Sequence, residues 1–328
     1  MGILRKLRVL ITSRRLFNNW LQAGIKYYLI KLGIFKDNIA IKCGSKEYVL
    51  NPRAYSIIVN AYYDGLLREL LCSDNEVVGR LWGIVNLMIR DNDSLLRMPD
   101  GILLTLGSFD PLVLAETWLY KIHFLGFDLS GWFVLDVGAY IGDTALYYAK
   151  RGAFVVAIEP LPSNYNAMLR NIELNPDLKP RIIPINIAIS SEDGFVELSY
   201  SAQLNGAASI YHTSKFKTKV KSMRLSTLIK EIANMGIDLS KFKIRVLKMD
   251  CKGCEYDVIS EAEVLRLFDI IKIEYSGYLR NKTYHELKNT LEALGFKCRI
   301  WAHNEDALRI GLDKHGVLMC VKQGEVVR

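Results

Sequence analysis

No apolar run in this 328-residue chain reaches the length of a membrane span. The longest, Leu81 to Ile89, is too short and is interrupted by Asn86. A secretory leader is not expected either. The start is basic, but Val9-Leu10-Ile11 is no adequate apolar core for one. Met1-Gly2 would suit myristoylation, yet Lys6 stands where Ser or Thr is needed. These absences predict a cytoplasmic protein. Cys43, Cys72, Cys251, Cys254, Cys298 and Cys320 are scattered along the chain, so free thiols are expected. Cys251-x-x-Cys254 is the one cysteine pair at metal or redox spacing. A structural zinc site needs a second such ligand pair, which is lacking, so no metal ligand is assigned. The chain shows neither an internal repeat nor a low-complexity segment.

Acid is absent from residues 1–36, which hold Arg5, Lys6, Arg8, Arg14, Arg15, Lys26, Lys31 and Lys36. The net charge of +8 is therefore concentrated at one end. Such a bias suits a surface-binding arm better than a basic active site. Ile3, Leu4, Leu7, Leu10 and Ile11 share one helical face. Phe17, Trp20, Leu21, Gly24, Ile25, Tyr28, Leu29 and Leu32 form a second stripe that Gly33 could end. Two readings stay open. The helices lie peripherally on an anionic membrane, or they pack on the domain with solvated lysines.

The composition is that of an ordinary globular chain, 50% hydrophobic and 24% charged. Ile39 to Cys43, Gly44-Ser45 and Glu47 to Leu50 read as a β-hairpin. Residues 55–90 read as helical. A second hairpin is expected around Pro99-Asp100-Gly101, and a helix from Pro111 through Tyr120. Residues 1–125 thus read as a mostly helical cap. Residues 126–328 alternate short apolar runs with helical stretches. Strands are expected at Trp132–Val137, Phe154–Ile158, Arg181–Ile187, Ile244–Met249, Ile270–Glu274, Phe296–Trp301 and Val317–Val321. Such alternation predicts an α/β fold with a mostly parallel seven-stranded sheet. The last two strands lack a predicted helix between them and should pair antiparallel.

In open α/β sheets, ligands sit outside the carboxyl ends of the strands. Asp136, Glu159, Asp250 and Glu274 fall at or near such ends. A dinucleotide turn would read Gly-x-Gly-x-x-Gly. Here Gly138-Ala139-Tyr140-Ile141-Gly142 puts Tyr140 in place of the second glycine, which speaks against a pyrophosphate and for a nucleoside without one. Glu159 lies 21 residues beyond Gly138, near the distance at which an acid meets ribose hydroxyls. Two such bonds would make a bidentate clasp. The bland alternative is a tight strand-to-helix turn beside a loop acid.

The run VLDVGAYIGDTALYYA resembles the first motif of class I methyltransferases, above all that of the FkbM family. The resemblance continues through Ala157-Ile158-Glu159-Pro160 and Asn186-Ile187-Ala188-Ile189-Ser190. It ends at Lys248-Met249-Asp250-Cys251-Lys252-Gly253-Cys254-Glu255, similar to the family's Lys-x-Asp-x-Glu-Gly-x-Glu. Lys252 departs from that pattern and receives no role. The resemblance implies a Rossmann-like fold and S-adenosylmethionine as cofactor. It places Asp136, Gly138, Ala139, Tyr140, Gly142 and Asp143 around the methionine part. It puts Glu159 and Pro160 at the ribose, and Asn186 and Ala188 at the adenine. Asp250, Glu255 and Glu274 are candidates to accept a proton, and Glu255 could instead serve a helix dipole. Cys251 and Cys254 then read as small packing residues, and the stretch from Ser201 to Lys217 as a substrate loop or an exposed insertion.

The resemblance implies O-methylation of a sugar, glycolipid or related metabolite. Nucleic-acid or protein methylation is the alternative, disfavoured because Asp250-Cys251-Lys252-Gly253 stands where amine-directed enzymes carry Pro-Pro-Tyr. A catalytically silent nucleoside-binding scaffold recruited to a membrane is the third reading.

Overall fold

The computed structural model describes residues 3–73, 76–90, 93–119, 123–124, 127–201, 206 and 208–324. The chain divides into two compact units, Met1–Asp110 and Pro111–Arg328. The expected boundary at 125/126 falls outside the described residues, as do Tyr120, Asn205 and Ala207.

The first unit opens with α1 (Ile3–Thr12) and α2 (Trp20–Lys31), then the expected hairpin of β1 (Ile39–Cys43) and β2 (Lys46–Leu50). Helix α3 (Pro52–Tyr63) starts on Asn51, whose side chain accepts the Ala54 N–H at 2.8 Å, with Pro52 at the first helical position. Its core face is Ala54, Tyr55, Ile58 and Val59. Helix α1 packs on α3, and Arg5 donates to Asp64 at 2.9 Å. A Cβ at Gly24 would run into the tip of the Leu10 side chain, so Gly24 makes room in α2 for that leucine of α1.

From here the structure overturns the expected helical cap. Residues 67–105 form an antiparallel meander of β3 (Leu67–Cys72), β4 (Val77–Leu81), β5 (Val85–Arg90), β6 (Asp93–Arg97) and β7 (Leu103–Thr105). In β5, Val85, Leu87 and Ile89 are buried while Asn86 and Arg90 are exposed, a period of two. Trp82 and Gly83 both take positive φ and close the turn before it.

The second unit begins with α4 (Pro111–Leu114), continued by a π-helical turn over Ala115–Leu119. The sheet-building elements follow: β8 (Trp132–Val137), α5 (Asp143–Lys150), β9 (Phe154–Ile158), α6 (Pro162–Glu173) and β10 (Ile182–Ile185). A side sheet comes next, of β11 (Ala188–Ile189), β12 (Gly194–Tyr200) and β13 (Phe216–Met223), leading into α7 (Leu225–Asn234). The chain returns through β14 (Ile244–Met249), α8 (Glu255–Val258), α9 (Ala262–Leu265), β15 (Ile270–Ser276), α10 (Tyr284–Ala293), β16 (Phe296–Trp301), α11 (Glu305–Ile310) and β17 (His315–Lys322). The main sheet has the order β10-β9-β8-β14-β15-β17-β16. All pairs are parallel except those of β17, which runs antiparallel to both neighbours. This is the expected Rossmann-like sheet with its last strand reversed. Helix α11 between β16 and β17 was not expected. Asn304 caps it, accepting the Ala307 N–H at 2.9 Å.

One face of this sheet holds the main core. Leu135, Leu247 and Ile271 pair across β8, β14 and β15 and are buried with Leu228, Ile232, Leu287 and Leu291 of the covering helices. The opposite face is polar at the next position of each strand. There Asp136, Lys248 and Lys272 stand in one row.

The expectation of free thiols is not met. Cys43 pairs with Cys72, Cys251 with Cys254, and Cys298 with Cys320. The last pair sits directly opposed in the β16–β17 ladder, and Cys251 and Cys254 face each other across the turn after β14.

Candidate active site

The turn after β8 is wound by three left-handed residues, Gly138 (φ 80°), Tyr140 (φ 50°) and Gly142 (φ 79°). The N–H groups of Gly138 and Ala139 both donate to the Ile158 carbonyl at 2.9 Å, which staples the turn to β9. Gly142 caps α5, so Asp143 is its first residue rather than its cap. Thr117 donates to Asp143 at 2.8 Å, and burial pushes that carboxyl up to about 6.

Glu159 follows β9, fully buried beside this turn. It accepts N–H bonds from Tyr140 (2.9 Å) and Leu161 (3.0 Å), and a third bond from Asn164 (3.1 Å). A carboxylate offers about four acceptor positions. These donors leave about one, against the two that a bidentate clasp would use. Burial raises the Glu159 pKa to about 7 despite these donors. Asn186 donates to the carbonyls of Glu159 (2.7 Å) and Pro160 (3.1 Å). Ala188 is buried in β11.

Asp136 lies lower than its place near a strand end suggested. It is fully buried, 2.7 Å from Lys248 and accepting from Thr144 at 2.5 Å. Its partner in the row, Lys272, donates to His123 at 2.7 Å. Burial and the neighbouring Lys248 lower the Lys272 pKa to about 7. The row is thus a polar floor beneath the turn.

Two residues further along the same strands stand Asp250 and Glu274, on the same face by the period of a strand. Lys252 reaches both, 2.6 Å from Asp250 and 2.8 Å from Glu274. Burial works to raise the Glu274 pKa, but Lys252 and then His303 outweigh it and hold it well below the usual range. His303 Nε2 is 3.5 Å from Glu274 and 3.9 Å from Glu116. Burial lowers the His303 pKa, but Glu274 and Glu116 carry it above its ordinary value. Burial, Glu274 and Asp250 push Glu116 up to about 7.

The remaining candidate, Glu255, is fully buried and apart from this group. It accepts the N–H groups of Gly253 (2.8 Å) and Ser276 (2.7 Å), tying the turn after β14 to the end of β15. The loop after β12 rests on the same turn. Ser209 donates to the Lys252 carbonyl at 2.7 Å, and Tyr211 packs on Gly253.

Sequence reasoning passed over Glu116 and gave Lys252 no role. Glu116 sits on a π-helical turn, which no periodicity announces. Lys252 had one visible signal, its departure from the family pattern.

The family model for the methyltransferase FkbM domain matches residues 136–298. Residues 136–298, just under half of the chain, are thus similar to an FkbM methyltransferase domain. The Rossmann-like strand order of the sheet agrees with that match. A curated relative, the methyltransferase sdnD of Sordaria araneosa, is 28% identical over 153 residues. That match covers 39% of this chain and 59% of the relative's length. Similar solved structures include an O-methyltransferase from Bacillus cereus in complex with SAH, at 12% identity, TM-score 0.37, and 66% and 82% of the two chains. Another is Aeropyrum pernix fibrillarin with bound S-adenosyl-L-methionine, at 13% identity, TM-score 0.38, and 78% and 99%.

Proposed function

We propose that this protein transfers a methyl group from S-adenosylmethionine to a hydroxyl oxygen of a small-molecule or glycan acceptor, in the sugar or glycolipid class. One observation carries the reading. Gly138, in the turn that would hold the nucleoside, packs on the backbone of Asp250, which opens the Asp250–Lys252–Glu274 group. A cofactor turn and a set of proton-handling groups thereby share one edge.

The residues fit such a cofactor. Gly138, without a side chain, lets the turn close on the Asp250 carbonyl and brings the two side by side. Glu159 keeps one acceptor position beside Tyr140 and Asn186. S-adenosylmethionine, when bound, supplies a methyl group on a cationic sulfur that becomes a neutral thioether on transfer. Asp250 and Glu274 favour a cation over that neutral product. Asp250, a quarter exposed, accepts the proton that the acceptor hydroxyl loses as its oxygen gains the methyl group. Lys252 holds Asp250 and Glu274 in place, and transfer depends mainly on such positioning.

Two measurements test the reading. Labelled S-adenosylmethionine is incubated with the protein and fractionated extract of the source cells, and label is sought on an acceptor. Calorimetry should show cofactor binding that Glu159→Ala weakens at least about tenfold. A wild-type protein that binds no S-adenosylmethionine would falsify the proposal.

The N-terminal unit supports a second proposal, peripheral contact with an anionic membrane. Although α1 packs on α3, it leaves Ile3, Leu4, Leu7 and Ile11 exposed among Lys6 and Arg8. Exposed apolar side chains interleaved with basic ones suit that surface. Among the described residues no helix is long and apolar enough to cross a membrane.

A further inference from the structure

Beyond the Lys252 bridge, Glu274 turns its second carboxylate oxygen toward a pair of histidines. Glu274, His303 and His315 each present one ligand atom, and these atoms lie within 4.8 Å of one another. Both histidines are buried and their rings meet edge to face, 5.3 Å between centres. We propose that Glu274, His303 and His315 form a binding site for a divalent transition-metal ion, with an oxygen of Glu116 as a fourth ligand at its edge.

The separations favour an ion over a direct pair. His303 Nε2 lies 3.5 Å from Glu274 Oε2. A charge-assisted hydrogen bond would be about 2.7–2.9 Å. Two ligands placed tetrahedrally at about 2.1 Å from one ion stand about 3.4 Å apart. Glu116 Oε1, at 3.9 Å from the same nitrogen, is within reach of a fourth position after a small shift.

His315 has a fitting outer partner. His315 Nδ1 lies 2.9 Å from the Tyr275 carbonyl, which fixes a proton there and leaves Nε2 with its lone pair. The Asn304 amide donates to His303 Nε2 at 2.8 Å, so that nitrogen also presents a lone pair, and the amide is the group an ion displaces. Three carboxylates, Glu116, Asp250 and Glu274, face the single ammonium of Lys252, so the cluster keeps negative charge for a cation. Two imidazoles and carboxylates without a thiolate suit zinc, cobalt(II) or manganese(II) better than magnesium, which prefers oxygen alone. No short sequence spacing announces the site, because its ligands come from β15, the loop before α11, and β17.

The test is metal binding, independent of methyl transfer. Full-length untagged protein is stripped with chelator and titrated with zinc, manganese(II) or magnesium chloride by calorimetry, with bound metal counted by mass spectrometry. One zinc per chain is expected, with magnesium at least about 100-fold weaker. Losing a group that only orients a metal ligand already costs about 10–100-fold in affinity, so His303→Ala and His315→Ala should each weaken zinc by at least about 100-fold. Cobalt(II) on the wild-type protein should give a visible spectrum of nitrogen and oxygen ligation without a thiolate charge-transfer band, a readout that needs no variant to fold. Failure to bind zinc or cobalt overturns the site. Binding that survives both histidine variants, or that is lost only in Cys251→Ser/Cys254→Ser, overturns it equally.

Discussion

Gly138 rests directly on the carbonyl group of Asp250. A Cβ built at Gly138 would overlap that oxygen, and its φ of 80° already disfavours any side chain. Gly138→Ala should therefore push the turn after β8 away from the end of β14. We expect a stability loss of at least about 1–2 kcal/mol and cofactor affinity reduced beyond what that loss explains. Urea melts and calorimetry on the same preparation separate the two. A variant with unchanged affinity would show that the contact plays no part in ligand binding.

Asp250→Asn keeps the shape of the side chain and removes its basicity. Cofactor binding should persist while methyl transfer falls by about 10²–10⁴-fold, the range for a lost acid–base group. The reading of Asp250 as proton acceptor does not survive a variant that turns over at the wild-type rate.

These contacts show what was legible in the sequence. The bounds of β8, β9, β14 and β16 could be read residue for residue; β8 and β9, buried on both faces, are nearly continuous apolar runs cut off by glycine, charge or proline. Asp250 and Glu274 were visible as strand-end acids for the same reason. Asp136 was misplaced in depth, since only the register against Lys248 reveals that it lies in the floor. Strands β6 and β7 form the hairpin expected around Pro99-Asp100-Gly101, whereas β3 to β5 lie in the stretch read as helix, because Leu67-Arg68-Glu69-Leu70-Leu71 consists of strong helix formers. There, antiparallel pairing overrides local preference. Glu116 and His315 could not have been found, because only the tertiary fold brings them to Glu274.

Lys252 holds two acids together from a left-handed backbone position, φ 52°. Lys252→Met leaves Asp250 and Glu274 facing each other without their shared cation. Removing one partner of a buried ion pair typically costs 3–5 kcal/mol. Part of this group is open to water, so a loss on the order of 2–3 kcal/mol is expected. Chemical denaturation measures it, and a variant as stable as wild type would mean that solvent already screens the pair.

Three buried carboxyls make stability depend on pH. Burial raises Glu159 and Glu255 to about 7 and Asp143 to about 6, against ordinary values of 4.5, 4.5 and 3.8. Between those limits the folded chain holds more protons than the unfolded one, so these groups make stability fall as pH rises. Their contribution is fully present below about pH 4 and is lost by about pH 7. Glu159 alone accounts for a change on the order of 3 kcal/mol. Glu159→Gln carries a fixed cost from its altered bonds to Tyr140, but the gap in its stability between pH 5 and pH 8 should be smaller than in wild type. Equal gaps would mean that Glu159 titrates normally in the folded protein.

Deleting residues 1–36 would test the membrane surface poorly, because α1 covers α3 and Arg5 is tied to Asp64. Leu4→Ser/Leu7→Ser is cleaner, since both side chains are exposed and the packing face is untouched. Each leucine contributes about 1.5 kcal/mol or more if it enters the interface, so the double variant should bind anionic vesicles at least about 100-fold more weakly. Reversing Arg8 to Glu should weaken binding further, and raised salt should weaken both proteins. The comparison is flotation with vesicles of phosphatidylglycerol and of phosphatidylcholine. Equal flotation of wild type and the double variant would assign these exposed residues to solvent rather than to a bilayer.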